Sequence, residues 1–171
     1  MREMCIHRIA AAYIYKRKEG SVMKLNKEEV MEILPHRTPM LFVDEVVEVE
    51  PLASIVSKLY INENWEMFKG HFPGDPVFPG VLSVEAMAQT VDCMIMTVNR
   101  YRKLTPLFAG IEKVRFYKRI LPGQTVYMTA KVIDMDEVRD IITAKAKILL
   151  FGDNQEEPQV AVKSVIRIAM R

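Results

Sequence analysis

His71 and Glu85 are the residues of this sequence best suited to proton-transfer chemistry. His71 lies in a loop rich in proline and glycine, where prolines fix φ and glycines can adopt positive φ. Glu85 lies in the apolar segment that follows, and a carboxyl group in apolar surroundings holds its proton more readily than an exposed one. Gly80 lies between them, where a free N–H at a helix start can face a negatively charged oxygen. A base, an acid and an anion-binding group in one stretch predict general acid–base catalysis.

Two further polar residues follow Glu85 on the same predicted helix, Val81–Val98. Glu85, Gln89 and Asp92 fall at positions i, i+4 and i+7, so they share one face of an otherwise apolar helix. Buried polar side chains of this kind require hydrogen-bond partners. Glu85 taken alone would more simply be an exposed residue on a solvated face, but the preceding loop favours a catalytic role. Asp92 has two open interpretations: it influences the Glu85 carboxyl group, or it simply faces solvent.

The other residues with reactive side chains do not form a recognisable site. His7, His36 and His71 are scattered, so no metal site is predicted, and His36 is interpreted as a hydrogen-bonding residue of a loop. The sequence has no Gly-rich phosphate loop and no nucleophile elbow, and no cofactor is expected. Cys5 and Cys93 lie outside any metal-ligand spacing, which favours a reducing compartment and predicts a cytoplasmic protein.

Length and charge narrow the possible functions. A chain of 171 residues fits one domain, and a formal charge of +2 is too small for a nucleic-acid-binding surface. The longest apolar stretch is the predicted helix Val81–Val98, and its three polar residues argue against a membrane span. We therefore expect neither a nucleic acid partner nor insertion into a membrane.

Residues 1–22 are expected to be an extension of a single domain formed by residues 23–171. The tripeptide Lys18-Glu19-Gly20 could be encoded by a purine-rich, ribosome-binding-like run, so we hypothesise that Met23 is the natural start. An amphipathic targeting segment is the alternative. N-terminal sequencing of the protein from its natural source that found Met1 retained would refute the Met23 start.

Hydrophobic periodicity predicts an α+β fold. Asn26 and Glu29 form a capping box that opens a short helix ending before Pro35, and residues 62–68 predict a turn or short helix. One long helix among about six antiparallel strands implies that the sheet wraps the helix to bury its apolar sides. The predicted strands are Met40–Glu50, Ser54–Ile61, Pro106–Phe116, Thr125–Met135, Asp140–Phe151 and Gln159–Ala169, the first two forming a hairpin.

Several motifs, in a fixed order and spacing, make the chain resemble a known family. They are Leu34-Pro35-His36-Arg37-Thr38-Pro39-Met40-Leu41, Gly70-His71-Phe72-Pro73-Gly74, Pro76-Val77-Phe78-Pro79-Gly80-Val81-Leu82, Glu85-Ala86-Met87-Ala88-Gln89, and Phe108-Ala109-Gly110-Ile111 with Pro122-Gly123. From Leu25 to the C-terminus the chain resembles the (3R)-hydroxyacyl-[acyl-carrier-protein] dehydratases of type II fatty-acid synthesis.

The resemblance implies a hot-dog fold, in which a curved antiparallel sheet wraps the long helix. It also implies a homodimer, with dimers assembling as a trimer of dimers, and a site in which His71 of one chain faces Glu85 of the other. His71 would remove the C2 proton and Glu85 would protonate the departing C3 hydroxyl group. The Gly80 N–H would hold the thioester oxygen, and the Val77 carbonyl would orient the His71 ring.

The resemblance also assigns substrate-binding roles to Val77, Phe78 and Gln89. Phe78 stands where the family more usually has Met, and it would border the acyl tunnel and alter the preferred chain length. Asp92 falls where the family commonly has Gly. Glu at position 85 matches the dehydratase branch rather than the dehydratase-isomerase branch, so no isomerisation of the double bond is expected.

Basic residues follow Gly110, and the resemblance implies that they meet the acidic acyl carrier protein. A solvated strand edge is the alternative, since basic residues there also discourage edge pairing. The cluster is Lys113, Arg115, Lys118 and Arg119.

The sequence therefore predicts a lyase without a cofactor that acts on carrier-bound 3-hydroxyacyl chains. Two alternatives stay open at this point. One is another hot-dog enzyme, either a CoA-linked hydratase or a thioesterase. The other is a non-catalytic acyl-binding subunit, against which the presence of both His71 and Glu85 argues.

Overall fold

The computed structural model describes residues 23–152 and 157–171, where seven strands form one antiparallel sheet. The strands are β1 (Met23–Leu25), β2 (Glu45–Glu50), β3 (Ser54–Tyr60), β4 (Pro106–Phe116), β5 (Thr125–Asp136), β6 (Ile141–Leu150) and β7 (Gln159–Met170). Their order across the sheet is β1, β2, β3, β5, β6, β7, β4. The extension of residues 1–22 lies outside the described residues.

Two helices accompany the sheet in the described part of the chain, α1 (Lys27–Ile33) and α2 (Gly80–Met96). The capping box of α1 is confirmed, since Glu29 N–H donates to Asn26 Oδ1 at 3.0 Å and Asn26 N–H donates to the Glu29 carboxylate at 2.8 Å. Short 3-10 helices occupy Glu66–Lys69 and Asn99–Tyr101.

Helix α2 is the centre of the molecule. It contacts strands β2 to β7, and thirteen of its seventeen residues are buried. A helix that is apolar nearly all round must be covered on several sides, and the sheet provides that cover. The predicted α+β architecture, with a long helix wrapped by an antiparallel sheet, is confirmed as the hot-dog fold. No helix in the described residues is long and apolar enough to cross a membrane.

The two largest differences between the observed and the predicted elements are at β1 and β2. Strand β1 was not predicted, because a strand of three residues carries no measurable alternation of polar and apolar side chains. Strand β2 begins at Glu45 rather than Met40, because the backbone before it is bound by a side chain of α2. Gln89 accepts a hydrogen bond from Phe42 N–H and donates one to Met40 O, both at 2.7 Å.

Aromatic side chains hold the loop before α2 against the core. Phe42 packs edge-on against Trp65 and Phe78, with ring centroids 5.8 and 5.9 Å apart, and Trp65 stacks on Phe68. Phe78 and Phe68 are both buried. This cluster fixes both ends of the loop that contains His71.

Candidate active site

The His71 loop is held by main-chain hydrogen bonds on both sides. His71 N–H donates to Met67 O at 2.9 Å, which ties the loop to the end of the preceding 3-10 helix. Val77 N–H donates to His71 O at 3.0 Å, and the imidazole Nδ1 lies 2.8 Å from Val77 O. The ring also stacks on Phe72, with centroids 4.1 Å apart. His71 is therefore fixed in position and orientation.

The Val77 contact also fixes the tautomer of His71. A carbonyl oxygen only accepts hydrogen bonds, so Nδ1 must carry the proton and donate it to Val77 O. Nε2 is then the nitrogen with a free lone pair, and it makes no hydrogen bond to another described residue. The predicted contact between Val77 O and the His71 ring is confirmed, and it leaves Nε2 able to accept a proton.

Helix α2 begins directly after the loop, with Pro79 as the residue before its first turn. Leu82 N–H and Ser83 N–H both donate to Pro79 O at 3.0 Å, whereas Gly80 N–H donates to no other described residue. A free N–H at a helix N-terminus carries partial positive charge and can bind a negatively charged oxygen. The absence of a side chain matters here, because a Cβ at Gly80 would lie 3.0 Å from Cε1 of Phe116.

A cavity of about 340 Å³ brings His71 and Gly80 together. Lys118 and Arg119 lie on its wall, so the cavity carries positive charge. Its other lining residues are Val77, Phe78, Ser83, Phe116, Tyr117, Ile120 and Val162. No carboxylate side chain belongs to this lining, so within the described part of one chain the base has no acid beside it.

Glu85 has different neighbours. Its Oε1 accepts a hydrogen bond from Gln89 Nε2 at 2.7 Å and lies 3.5 Å from Nε2 of His36. Its side chain is 20% exposed, so Glu85 is neither fully buried nor on an open solvated face. Oε2 makes no hydrogen bond to another described residue, which leaves that oxygen free to carry and donate a proton.

Gln89 sets the orientation of Glu85. Its Oε1 must be the atom facing Phe42 N–H, because a main-chain N–H can only donate. Its Nε2 then donates to Met40 O and to Glu85 Oε1. Gln89 is fully buried and uses both ends of its amide, so the structure places it as a bridge to Glu85. Whether it also touches substrate, as the resemblance implies, stays a prediction.

His36 is the neighbour that the sequence interpretation missed. Its side chain is 22% exposed and faces Glu85, and its Nδ1 is buried without a hydrogen-bond partner in the described structure. Burial lowers the pKa of His36, the Glu85 carboxylate opposes this effect, and the Arg37 guanidinium adds to it. The signal was present in the motif Leu34-Pro35-His36-Arg37, but nothing in the sequence alone paired it with Glu85.

Asp92 does not face solvent, so that interpretation is wrong. The residue is 3% exposed, and its Oδ1 has no hydrogen-bond partner among the described residues. Burial raises the pKa of Asp92 well above the ordinary value, and the negative charge of Glu85 raises it further. The polar face of α2 is therefore partly exposed at Glu85 and buried at Gln89 and Asp92.

The other predicted site residues are divided between the cavity and the surface. Phe78 lines the cavity but is only 3% exposed, because its ring packs in the aromatic cluster. Lys118 and Arg119 lie at the cavity, and Arg119 pairs with Asp75 at 2.5 Å. The other two basic residues, Lys113 and Arg115, are exposed on β4 away from the cavity lining.

The described residues contain no group of His, Cys, Asp and Glu side chains that could hold a metal ion. Cys93 is buried in α2, and burial raises the pKa of its thiol, which keeps the thiol protonated and unreactive.

Comparison with known proteins gives a family and a fold. The FabA-like domain matches residues 34–156. A 3-hydroxyacyl-[acyl-carrier-protein] dehydratase FabZ from Clostridium perfringens is 43% identical over 111 residues, which cover 65% of this chain and 79% of that protein. The dehydratase of the same name from Clostridium tetani is 40% identical over 108 residues, covering 63% of this chain and 76% of that protein.

A longer alignment and a solved structure agree with these matches. The bifunctional enzyme LpxC/FabZ from Chlorobaculum tepidum is 37% identical over 143 residues, covering 83% of this chain and 30% of that protein. The dehydratase heterocomplex ApeI:P from Xenorhabdus doucetiae has a TM-score of 0.67 at 18% identity and covers 83% of this chain and 90% of that chain. At that identity the structural likeness supports the fold alone.

Proposed function

The chain belongs to the FabA-like domain family, and we propose that it is a 3-hydroxyacyl-[acyl-carrier-protein] dehydratase. It is a hydro-lyase that converts (3R)-hydroxyacyl chains on acyl carrier protein to trans-2-enoyl chains in fatty-acid biosynthesis. The cytoplasmic location predicted from the cysteines forms part of this proposal.

The state of His71 is the observation that carries the proposal. Val77 O fixes the proton on Nδ1, and Nε2 is left as a base in a positively charged cavity beside the free N–H of Gly80. The C2 proton of a thioester is only weakly acidic, so its removal needs a positioned base and a group that stabilises the resulting negative charge on the carbonyl oxygen.

The proposed reaction balances as a 1,2-elimination of water. His71 Nε2 takes the C2 proton, and the electrons of that C–H bond move through the enolate to form the C2–C3 double bond. The C3–O bond breaks, and the leaving oxygen takes a proton from Glu85 Oε2. Gly80 N–H holds the thioester oxygen while it carries negative charge. Hydroxide is a poor leaving group, which is why the acid is needed as well as the base.

The acid in each site is proposed to come from a second copy of the chain. Among the described residues, the lining of the cavity that contains His71 includes no carboxylate, and Glu85 lies outside that lining. A homodimer in which each Glu85 enters the partner's cavity completes both sites. Assembly of three such dimers is the larger state that the family resemblance implies.

Strand β4 supports the homodimer. It is an edge strand of the described sheet, where it pairs with β7, and it exposes apolar side chains that a second copy of the chain would cover. Two such edges can pair and bury these side chains together. The exposed residues are Leu107, Phe108, Ile111 and Phe116, each between 44% and 56% exposed.

Acyl carrier protein is the proposed donor of the substrate. Lys118 and Arg119 lie where a carrier-bound thioester would enter the cavity, and Lys113 and Arg115 extend the positive surface along β4. Surface charges of this kind steer an acidic partner more than they fix its affinity.

The test is loss of water from 3-hydroxybutyryl-[acyl carrier protein], followed by enoyl absorbance and by mass. We expect turnover by the wild type and a loss of at least about a hundredfold in kcat for His71→Ala and for Glu85→Gln, because each removes one proton-transfer group. Glu66→Gln, a change at a mostly exposed carboxylate, is the matched control and should retain wild-type turnover.

Wild-type turnover in either site variant would overturn this mechanism. The same assay separates the alternatives: release of a free carrier thiol would indicate a thioesterase, and turnover confined to CoA thioesters would indicate a CoA-linked hydratase. Absence of any turnover would indicate a non-catalytic acyl-binding subunit.

A further inference from the structure

His36 lies against the candidate acid but has no part in the proposed reaction. Its Nε2 is 3.5 Å from Oε1 of Glu85, and only 22% of its side chain is exposed. The lining of the cavity that brings His71 and Gly80 together does not include His36. Any effect of His36 on the reaction would therefore pass through Glu85.

The main chain around His36 is held on both sides. The Arg37 guanidinium donates from Nη1 to Leu34 O and to His36 O, both at 2.7 Å. Further along the same loop, Gln89 Nε2 donates to Met40 O at 2.7 Å. The loop that carries the imidazole is therefore tied to helix α2, on which the acid lies.

The surroundings of the imidazole decide which nitrogen carries its proton. Nδ1 of His36 is buried without a hydrogen-bond partner among the described residues, so a proton there would have no acceptor. A proton on Nε2 instead faces Oε1 of Glu85. Burial lowers the pKa of His36, which the Glu85 carboxylate opposes and the Arg37 guanidinium reinforces, and the neutral ring with its proton on Nε2 is favoured.

Two N–H donors then face the same oxygen of Glu85. Gln89 Nε2 donates to Oε1 at 2.7 Å, and His36 Nε2 approaches the same atom at 3.5 Å. A carboxyl oxygen that carries a proton is a poor acceptor, so the acidic proton is held on Oε2, which makes no hydrogen bond to another described residue. Oε2 is the atom from which the leaving oxygen takes its proton in the proposed reaction.

The contact between His36 and Glu85 becomes stronger when Glu85 gives up its proton. Negative charge then spreads over both carboxylate oxygens, and hydrogen bonds to an ionised acceptor are shorter and roughly twice as strong as neutral ones. A separation of 3.5 Å is long for a hydrogen bond, and catalytic contacts of this kind often tighten only as the reaction proceeds. An interaction that strengthens toward the transition state lowers the barrier.

We propose that His36 is a positioning residue for the acid: its Nε2–H holds the proton of Glu85 on Oε2 and stabilises the carboxylate that forms when this proton leaves. The inference rests on the proposed function and deepens it, since it names the group that prepares Glu85 for proton donation. His36 itself transfers no proton in this step, and His71 does not depend on it. Loss of His36 should therefore impair departure of the hydroxyl group and spare removal of the C2 proton.

The test compares two substrates that differ only in the leaving group, 3-hydroxybutyryl-[acyl carrier protein] and 3-fluorobutyryl-[acyl carrier protein]. Both need a base at C2, but fluoride is a much weaker base than hydroxide and depends far less on an acid. Enoyl absorbance follows both reactions. We expect His36→Leu to lower kcat at least about tenfold for the hydroxy substrate and less than about threefold for the fluoro substrate, with KM changed less than about twofold.

A pair of amide variants separates the lost N–H from a general disturbance of the loop. A Gln side chain can place its N–H near the position of the imidazole Nε2, whereas Asn is one methylene group shorter and cannot. We expect His36→Gln to recover most of kcat and His36→Asn to behave like His36→Leu. Thr38→Val, a change at an exposed residue of the same loop, is the matched control and should keep wild-type values for both substrates.

Equal losses on the two substrates in His36→Leu would overturn the inference, because a structural role harms both reactions alike. Equal kcat values for His36→Gln and His36→Asn would also overturn it, and this comparison decides the question if the Leu variant does not fold, as judged by circular dichroism. Wild-type turnover of the hydroxy substrate by His36→Leu would overturn it as well.

The proposed function is tested separately with the same two substrates. His71→Ala should lose activity on both, and Glu85→Gln should lose mainly the activity on the hydroxy substrate. Absence of turnover by the wild type, or wild-type turnover by Glu85→Gln, would overturn the proposed function. The expected pattern for Glu85→Gln together with an unaffected His36→Leu enzyme would overturn the role of His36 alone.

Discussion

Main-chain atoms fix the tautomer of His71 and, through Gln89, the orientation of Glu85. Val77 O makes His71 Nδ1 a donor, and Phe42 N–H makes Gln89 Oε1 an acceptor, so that Gln89 Nε2 faces Glu85. In both cases one polar atom of the reactive residue is occupied and the other is left free. A base and an acid prepared in this way lose little entropy when the substrate binds.

Asp92 gives a prediction that does not depend on the reaction. Its pKa is raised in the folded protein by burial and then by the charge of Glu85, above the ordinary 3.8 of an unfolded aspartate. At a pH between these two values the unfolded state binds fewer protons, so the free energy of unfolding falls as pH rises. The full stability is present below the ordinary pKa and is lost as pH rises toward the folded-state pKa.

We therefore expect Asp92→Asn to become more stable relative to the wild type as pH rises from 5 to 8. The difference between the two proteins should grow by at most about 1.4 kcal/mol per pH unit. Urea unfolding at several pH values measures it. Asp134→Asn, a change at an exposed aspartate, is the control and should give a constant difference. A constant difference for Asp92→Asn as well would show that the carboxyl group is not held in a buried, raised-pKa state.

Helix α2 carries several of the candidate site groups. Its first turn supplies the free Gly80 N–H, its middle supplies Glu85 and Gln89, and its apolar sides hold the sheet together. The loop before it is bent so that His71 and the helix N-terminus share one cavity. In the proposed homodimer, a single helix would position the anion-binding group of one site and the acid of the other.

Gly80→Ala tests the approach of this helix to β4. The added Cβ would lie 3.0 Å from Cε1 and 3.2 Å from Cζ of Phe116, which must move. Within one chain Phe116 is 56% exposed, so its ring can turn aside, and Ala is a better helix former than Gly; we therefore expect the variant chain to fold, as judged by circular dichroism. We expect kcat/KM to fall by about tenfold, because the methyl group and the displaced ring intrude on the cavity.

Phe116→Leu in the Gly80→Ala background provides the check, since the smaller side chain should restore part of the activity. A Gly80→Ala protein with wild-type kcat/KM would show that activity does not depend on the close approach of Gly80 to Phe116.

Strand β4 bears on the proposed oligomeric state. Ile111 lies on edge strand β4 and is 47% exposed, so a charge there should prevent pairing of two protomers. We expect Ile111→Lys to be a folded monomer with at least about a hundredfold less activity, because each site lacks its acid. Sedimentation and the dehydration assay measure both effects.

Ile133→Lys is the matched control. Ile133 is 46% exposed but lies on β5, which has strands paired on both sides. This variant should keep the oligomeric state and the activity of the wild type. A fully active Ile111→Lys monomer would mean that His71 and Glu85 serve one site within a single chain.

Local patterns in the sequence determined most of the elements. The capping box at Asn26 and Glu29, the strand Pro106–Phe116 and the long apolar helix were all predicted closely, because each depends on neighbouring residues. The motif around His71 also determined the site loop and its contact with Val77 O, since both residues lie in the same short segment.

Only the tertiary structure decided how distant segments meet. It places His36 beside Glu85 and binds the Phe42 N–H to Gln89 instead of to a strand. It also buries Asp92 with its Oδ1 unpaired among the described residues. The first two are contacts between α2 and a segment far away in sequence. The burial of Asp92 depends on which elements pack over the helix. Periodicity shows that a face is polar, but the packing of the whole chain decides whether that face meets water, another side chain or a substrate.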